Sequence, residues 1–401
     1  MLDERRLHGS LIGVPGSRER LNTPVLVLDL DVLERNIQNM ASFAAQRGAK
    51  LRPHAKTHKS AVIAKKQLAS GAIGVCCAKL GEAEALAADG VKSILLTSPV
   101  VTMPGLARLA ALRDELDELI VVVDHPDNAA LLAKAVYPQT LQVLIDIDPG
   151  IRRTGVITPE AALQLYAAVE KLPQLKYRGV QYYCGMQQHV AAFAERRAAV
   201  VERTEYLQSI IAQLAAKGGK PEIVSGAGTG TCRIDAELGV LTEWQVGSYV
   251  FMDRQYADCD LSGDGVLPFE YALFVDTRVV SANSTGIATC DAGFKAMATD
   301  AGPPSIVYGA PERPRSARDR WSAEQPARNE TGVPGSSYHF MGDEHGLVVD
   351  PELKHSWELS DRLSLAVPHC DPTVNLYDAY HVVRGDTLVD IWPVTARGRS
   401  R

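Results

Sequence analysis

KLRPHAKTHKSAVIAKKQLASGAIGVCCAKLGEAEALAADGVKSILLT, residues 50–97, reads as strand, helix, strand, helix, strand. Short apolar runs at 50–52, 72–77 and 93–97 alternate with helix-like segments at 60–69 and 81–88, each joined by only a few residues. The alternation continues outward. Upstream, the strand-like run at 24–29 precedes a helical stretch through Ile37 and Met40. Downstream, strands at 118–123, 142–147, 177–182, 222–225 and 244–252 alternate with helices at 104–116, 128–135, 159–171 and 193–216. About eight β-α repeats with short connections predict a parallel α/β barrel of the TIM type, because each crossover places a helix outside the sheet. Residues at the C-terminal strand ends then converge on one face.

The pattern changes after about residue 268. Alternating runs at 271–280, 286–289, 339–340, 346–349, 362–367 and 387–391 are separated by turns and lack intervening amphipathic helices, which predicts a mainly antiparallel β domain. The expected organisation is a barrel over 23–268 and a β domain built from 1–22 and 269–401. Within the latter, the Pro-, Arg-, Ser- and Glu-rich stretch 311–335 reads as an exposed, flexible insertion.

Composition limits the function classes. With 401 residues, 46% of them hydrophobic, and a net charge of -6, the chain reads as an ordinary globular enzyme with a sizeable core. A mild negative charge without a basic stripe argues against nucleic-acid binding. No apolar run is long enough for a bilayer and the N-terminus lacks the apolar core of a signal peptide, so no membrane association and a cytoplasmic address are expected. Seven scattered cysteines are expected to be free thiols. Neither CxxC nor HExxH spacing occurs.

Four clusters fall where chemistry would sit. Residues 51–59 hold two lysines, two histidines and an arginine, a charge density costly to bury unless an anion or a covalent partner uses it. A lysine of lowered pKa forms Schiff bases with carbonyl cofactors; a solvated basic loop is the bland alternative. DIDPGIRRTG, 146–155, follows another strand with carboxylates and arginines. SGAGTGT, 225–231, offers glycines for close phosphate approach and the hydroxyls of Thr229 and Thr231, with QVGSY at 245–249 as a possible second half of the pocket. A lysine and an anion loop on one barrel face suggest pyridoxal phosphate. The fourth cluster, PHCDPTVNLYD at 368–378, places His369 and Asp371 two apart, on the same side if they lie on a strand, as ligands for one divalent cation.

RPHAKTHK, GVCCAKLGEAEAL, DIDPGIRRTGV, SGAGTGT, QVGSYVFMD, DAGFKA, DEHG and VPHCDPTVNLYD occur in this order from about Thr23 to Gly398. Together they resemble the D-threonine aldolase and D-serine dehydratase family. That resemblance implies a fold-type III pyridoxal phosphate enzyme with an alanine racemase-like barrel, a β domain and a homodimeric assembly. It implies Lys56, not Lys59, as the cofactor lysine. Arg153 and Tyr183 would lie near the ring, and Gly228, Thr229, Gly247, Ser248 and Tyr249 around the phosphate. His369 and Asp371 match the metal positions, Asp343 a nearby carboxylate acting through water, and His189 a candidate base.

The family's branches differ in chemistry. Dehydratases carry His-x-Cys, suited to zinc; aldolases carry His-x-Asp, suited to manganese or magnesium. His369-Cys370-Asp371 reads as the aldolase pattern, and HCDPT also resembles the 3-hydroxy-D-aspartate aldolases. The expected reaction is cleavage of a D-3-hydroxy-amino acid to glycine and an aldehyde, with manganese the first choice of metal and magnesium or zinc admissible. A 3-hydroxy-D-aspartate aldolase giving glycine and glyoxylate, a D-serine or D-3-hydroxyaspartate dehydratase, a racemase and a non-catalytic pyridoxal phosphate carrier stay open. Two departures from the aldolase pattern, Cys184 in Tyr-Cys-Gly and Ala78 in Cys-Cys-Ala-Lys, lie near the expected cofactor face.

Overall fold

The computed structural model describes residues 3–308, 335–351 and 357–401, so all of the expected insertion except Gly335 lies outside the described residues. The chain divides into two compact units: Ile37–Tyr249 with Gly398–Arg401, and Met1–Asn36 with Val250–Arg397. It begins with α1 (Asp3–His8), β1 (Val25–Asp29) and α2 (Leu30–Gln46).

The first unit alternates β2 (Lys50–Leu51), α3 (Ala61–Ala69), β3 (Val75–Cys77), α4 (Leu80–Ala88), β4 (Ser93–Leu96), α5 (Met103–Glu115), β5 (Glu118–Val123), α6 (Pro126–Val136) and β6 (Leu141–Ile147). It continues with α7 (Pro159–Val169), β7 (Leu175–Tyr182), α8 (Phe193–Ala216), β8 (Ile223–Gly226), α9 (Cys232–Leu238) and β9 (Glu243–Trp244). All eight strands are parallel neighbours in the order β2-β9-β8-β7-β6-β5-β4-β3. The ends of this row meet. Ile73 N–H donates to Leu51 O (2.8 Å), Cys76 N–H to Pro53 O (2.8 Å), and His54 bridges Cys76 in parallel, which closes the barrel.

Helix starts follow local chemistry. Thr102 and Thr158 accept the N–H groups of Gly105 and Ala161, with a proline in each first turn. Strand alternation then sorts the side chains. Cys76, Leu95, Ile120, Val122 and Leu144 pack inside the ring, while Val75, Ile94, Val121, Val143 and Ile145 face the helices. Part of the bore is polar: buried Arg52 donates to Glu243 (3.2 Å), Ser93 (2.8 Å) and Glu118 (3.0 Å). Gly74 is required beside it, because a Cβ there would run into the Arg52 guanidinium and lie 2.5 Å from Ser93 Oγ.

The second unit adds α10 (Arg254–Ala257), β10 (Leu273–Ser284), β11 (Ile287–Cys290), β12 (Ser305–Tyr308), β13 (Ser337–Phe340) and β14 (Gly346–Val349). After these come β15 (Arg362–Ala366), α11 (Cys370–Val374), β16 (Ala379–Arg384) and β17 (Thr387–Pro393). The sheet runs β13-β14-β11-β10-β1-β16-β17, with β15 joining β10 to β12, and every pairing is antiparallel except β1 with β16. Val25–Asp29 therefore lies in the middle of this sheet, whereas the sequence pattern puts it at the head of the barrel. A short strand buried on both faces is apolar throughout in either setting, so periodicity cannot assign it. Beneath this sheet, Asp276 is buried between Arg18 (2.8 and 2.9 Å) and Arg362 (3.1 Å). No helix among the described residues is long and apolar enough to cross a membrane.

Candidate functional site

Because the barrel strands are parallel, the loops leaving their C-terminal ends share one face. They carry Lys56 (after β2), Arg153 (after β6), Tyr183 and His189 (after β7), Gly228 and Thr229 (after β8), and Gly247, Ser248 and Tyr249 (after β9).

The basic segment resolves into distinct roles. Lys59, held at φ 49°, is buried in an ion pair with Glu82, whose other oxygen accepts the N–H groups of Ala78 (2.9 Å) and Lys79 (3.2 Å). Ala78 thus contributes its backbone to this lock. Arg52 is neutralised by Glu243 and Glu118. The two histidines act as braces, since His54 Nδ1 accepts the Lys56 N–H (3.4 Å) and His58 Nδ1 accepts the Ser60 N–H (3.1 Å). His54 Nε2–H then donates to Thr97 Oγ1 (3.1 Å), whose hydroxyl donates to Cys77 O (3.1 Å), which fixes a neutral tautomer. Internal carboxylates, more than any outside anion, account for the charge density of residues 51–59. Lys56 itself stands half-buried in the 3-10 turn Ala55–Thr57.

The loop after β9 lies against that turn. His54 N–H donates to Val246 O (3.0 Å), and a Cβ on Gly247 would sit 2.5 Å from Thr57 Oγ1. Thr229 Oγ1 accepts the Tyr249 N–H (3.0 Å), joining the loops after β8 and β9. Tyr249 is anchored from behind, its hydroxyl accepting from Gln67 Nε2 (3.0 Å) while Gln67 Oε1 meets His58 Nε2 (3.2 Å). Burial pushes the Tyr249 phenol upward in pKa. Gln188, fully buried, threads the glycine loop. It accepts the Gly230 N–H (3.0 Å) and donates to Thr231 Oγ1 and Cys184 O (3.1 Å each). Side chains on Gly228 or Gly230 would collide with Gln188. Two joined, buried loops enclosing the hydroxyls of Thr229 and Ser248, the second hydrogen-bonded to His54 at the start of the lysine-bearing turn, suit a ligand that has both a phosphate and an aldehyde.

Around this cradle, the Arg153 guanidinium lies 5.6 Å from the Tyr183 ring centroid, within cation–π range. Asp148 organises the intervening loop by accepting the N–H groups of Gly150, Ile151 and Arg152. Asp146 instead projects to the same side of β6 as Leu144, where Gln181 Nε2 donates to it (2.9 Å) and burial lifts its carboxyl to about 6. His189 is exposed on the loop after β7. Cys184 is buried and burial pushes its thiol up to about 12, so the Tyr-Cys-Gly departure adds no nucleophile. Gln188 had no signal beyond its place in a Gly-Met-Gln-Gln-His loop.

In the other unit, His369 and Asp371 do not lie on a strand. His369 is the extended N-cap of α11 and Asp371 lies in that helix's first turn. Their side chains still approach: His369 Nε2 is 3.9 Å from Asp371 Oδ2, a gap one cation spans with ligand bonds of about 2.0–2.2 Å. His369 Nδ1 meets Asp300 Oδ2 at 2.7 Å. Cys370 is fully buried, and its N–H donates to Asp253 (3.0 Å). One imidazole and one carboxylate form a hard donor pair that fits a divalent cation. Asp343 is exposed, 3.7 Å from Lys295 Nζ.

Among the described residues, one group of three side chains closes to metal-binding distance: Glu4, His8 and His381. It does not fit a metal. His8 Nδ1 lies 2.8 Å from His381 Nε2, but His8 Nε2 accepts the Asn22 N–H (3.1 Å), so Nδ1 carries the proton and offers no lone pair. His381 Nδ1 is buried without the partner that a ligating histidine needs.

Two family models match successive parts of the chain. The model of the alanine racemase N-terminal domain matches residues 28–255, and that of the putative serine dehydratase domain matches residues 272–383. The 3-hydroxy-D-aspartate aldolase of Paracoccus denitrificans (strain Pd 1222) is 37% identical over 396 residues, covering 96% of this chain and 95% of its own. The D-threonine aldolase of Arthrobacter sp is 36% identical over 386 residues, with coverages of 95% and 94%. The crystal structure of D-threonine aldolase from Filomicrobium marinum superposes with a TM-score of 0.85 at 37% identity, covering 96% of this chain and 97% of that one.

Proposed function

Because this chain belongs to the family that joins an alanine racemase N-terminal domain to a putative serine dehydratase domain, we propose that it cleaves D-3-hydroxy-amino acids of the D-threonine type to glycine and an aldehyde. It is a carbon–carbon lyase of the pyridoxal phosphate-dependent class, as are the aldolases it resembles over nearly full length. Bound pyridoxal phosphate supplies an aldehyde for a lysine amine and a ring that accepts electrons as a bond to Cα breaks.

Lys56 is the proposed tethering amine. Gly228, Thr229, Gly247 and Ser248 would enclose the phosphate, while Tyr249 holds Thr229 in place through its N–H. Arg153 and Tyr183, within cation–π range of each other, would border the ring. His369 and Asp371 would hold a divalent cation, manganese by preference and magnesium or zinc as alternatives, whose chemistry is to acidify a 3-hydroxyl. His189 is the proposed base for that hydroxyl's proton, since its imidazole is exposed on the loop after β7. The reading also carries a homodimer in the cytoplasm, checked by light scattering and fractionation.

One observation carries the proposal: the turn bearing Lys56 is hydrogen-bonded directly to the loop bearing Gly247, which sets an amine beside an anion cradle. A 3-hydroxy-D-aspartate aldolase is the second reading, favoured by the 37% identical relative. That His369 Nε2 faces a carboxylate while Cys370 is fully buried favours either aldolase over a dehydratase. The test incubates the protein with cofactor, manganese and D-threonine, D-phenylserine, D-3-hydroxyaspartate or D-serine. Glycine plus an aldehyde is expected; ammonia plus a 2-oxo acid points to a dehydratase, and cofactor binding without turnover to a carrier.

A further inference from the structure

We propose that Asp300 is a positioning residue that fixes the tautomer of His369 and so presents its Nε2 lone pair to a cation; this rests on the metal reading above. The contact is short. His369 Nδ1 and Asp300 Oδ2 are 2.7 Å apart, so a carboxylate acceptor holds the proton on Nδ1. Nε2 is then left as the lone-pair nitrogen, on the edge that faces Asp371 Oδ2 at 3.9 Å. A carboxylate behind a ligating imidazole also fixes the ring's orientation.

The backbone holds Asp300 where it can do this. Thr373, in the first turns of α11, accepts the Ala298 N–H through Oγ1 (3.0 Å) and donates the same hydroxyl to His369 O (2.7 Å). One side chain thus ties the segment leading into Asp300 to the residue whose ring Asp300 orients. A second tie lies a few residues away, where the Tyr377 hydroxyl donates to Ala296 O (2.6 Å). Asp253 fixes the helix start from the other side by accepting the Cys370 N–H (3.0 Å). Asp343 makes a different contact, with Lys295 at 3.7 Å, and does not replace Asp300 in this role.

The test measures Mn2+ binding to the cofactor-loaded full chain by titration calorimetry and by the fraction of EPR-visible free ion. It compares wild type with Asp300→Ala, Asp300→Asn and Asp371→Ala, with circular dichroism and cofactor absorbance as checks on folding. Asp300→Ala is expected to weaken Mn2+ binding roughly 10–100-fold at unchanged cofactor absorbance. Asp300→Asn, whose amide oxygen still accepts from Nδ1–H, is expected to recover most of the loss, which a role in charge or folding alone would not produce. Wild-type affinity in Asp300→Ala, with Asp371→Ala weakened, overturns the role of Asp300 and keeps the metal reading. Equal binding by wild type and Asp371→Ala overturns both.

Discussion

Lys59 shares its buried pocket with the Glu82 carboxylate, so Lys59→Ala leaves a charge without its counterpart, a loss of about 3–5 kcal/mol. A lower thermal midpoint is expected, with Schiff-base absorbance retained by the folded fraction. Lys56→Ala is expected to do the reverse, removing that absorbance while melting close to wild type; absorbance and a melt on each variant check both. The motif revealed which residue types gather at the barrel mouth but not how they divide the work. Two histidines and three cations look alike in a string of letters, whereas the partners that neutralise or brace them, Glu82 on α4, Glu243 on β9 and Thr97 after β4, come from other elements. Gln188 escaped notice for the same reason. His189 beside it has the chemically suggestive side chain, yet Gln188 is the one inside the glycine loop. Asp300 lies far from His369 in the chain and carries no motif of its own.

On α9, Asp235 is buried, one carboxylate oxygen has no hydrogen-bond partner among the described residues, and burial raises the carboxyl to about 7. A raised carboxyl favours the folded state at acid pH, where it is neutral, and loses that advantage as pH rises through the folded value. Asp235→Asn is therefore expected to gain stability relative to wild type between pH 6 and 8.5, by roughly 1–2 kcal/mol at about 1.4 kcal/mol per unit, because the loss ends near the folded value. Paired thermal melts at the two pH values check it. A difference independent of pH would place the Asp235 carboxyl elsewhere on the titration scale. Most elements were legible at this level, since barrel strands read as apolar runs that alternate with helical stretches, and two of those helices, α5 and α7, start at a threonine cap with a proline behind it. The failures are short pieces. β1 is equally apolar in either sheet, and residues 370–374 form a helix, where the pairing of His369 with Asp371 had been reasoned only for the case of a strand, because Pro372 suits a first helical turn and His369 supplies an extended cap.

In the unit built from both chain ends, three buried or half-buried groups make stability depend on acid in the same direction. Burial and the neighbouring His381 lower the pKa of His8. A hydrogen bond to His381 lowers that of Glu4, and the Arg18 and Arg362 guanidiniums hold Asp276 low against the effect of its burial. A depressed pKa contributes stability above the unfolded value and loses it as pH falls through the folded one. The decline is expected to begin below about pH 6.5, with His8, and to deepen below about 4.5, with the carboxylates. His8→Gln should flatten the first part, so its melting temperature falls less than that of wild type between pH 7 and 5. At this scale, the change from β-α alternation to turn-separated strands announced two architectures, but not that the first strand of the chain serves the later one. Val25 pairs with Asp276 and Val27 with His381. At about 5–20 residues per second, a ribosome takes on the order of ten seconds or more to deliver those partners. Meanwhile the whole Ile37–Tyr249 unit has left the exit tunnel, while Leu26, Val27 and Leu28, later among the most enclosed side chains of the protein, wait unpaired. A nascent chain interrupted in that interval carries a sticky first strand ahead of a barrel whose eight strands are already made, and that strand is where a chaperone would have to hold on.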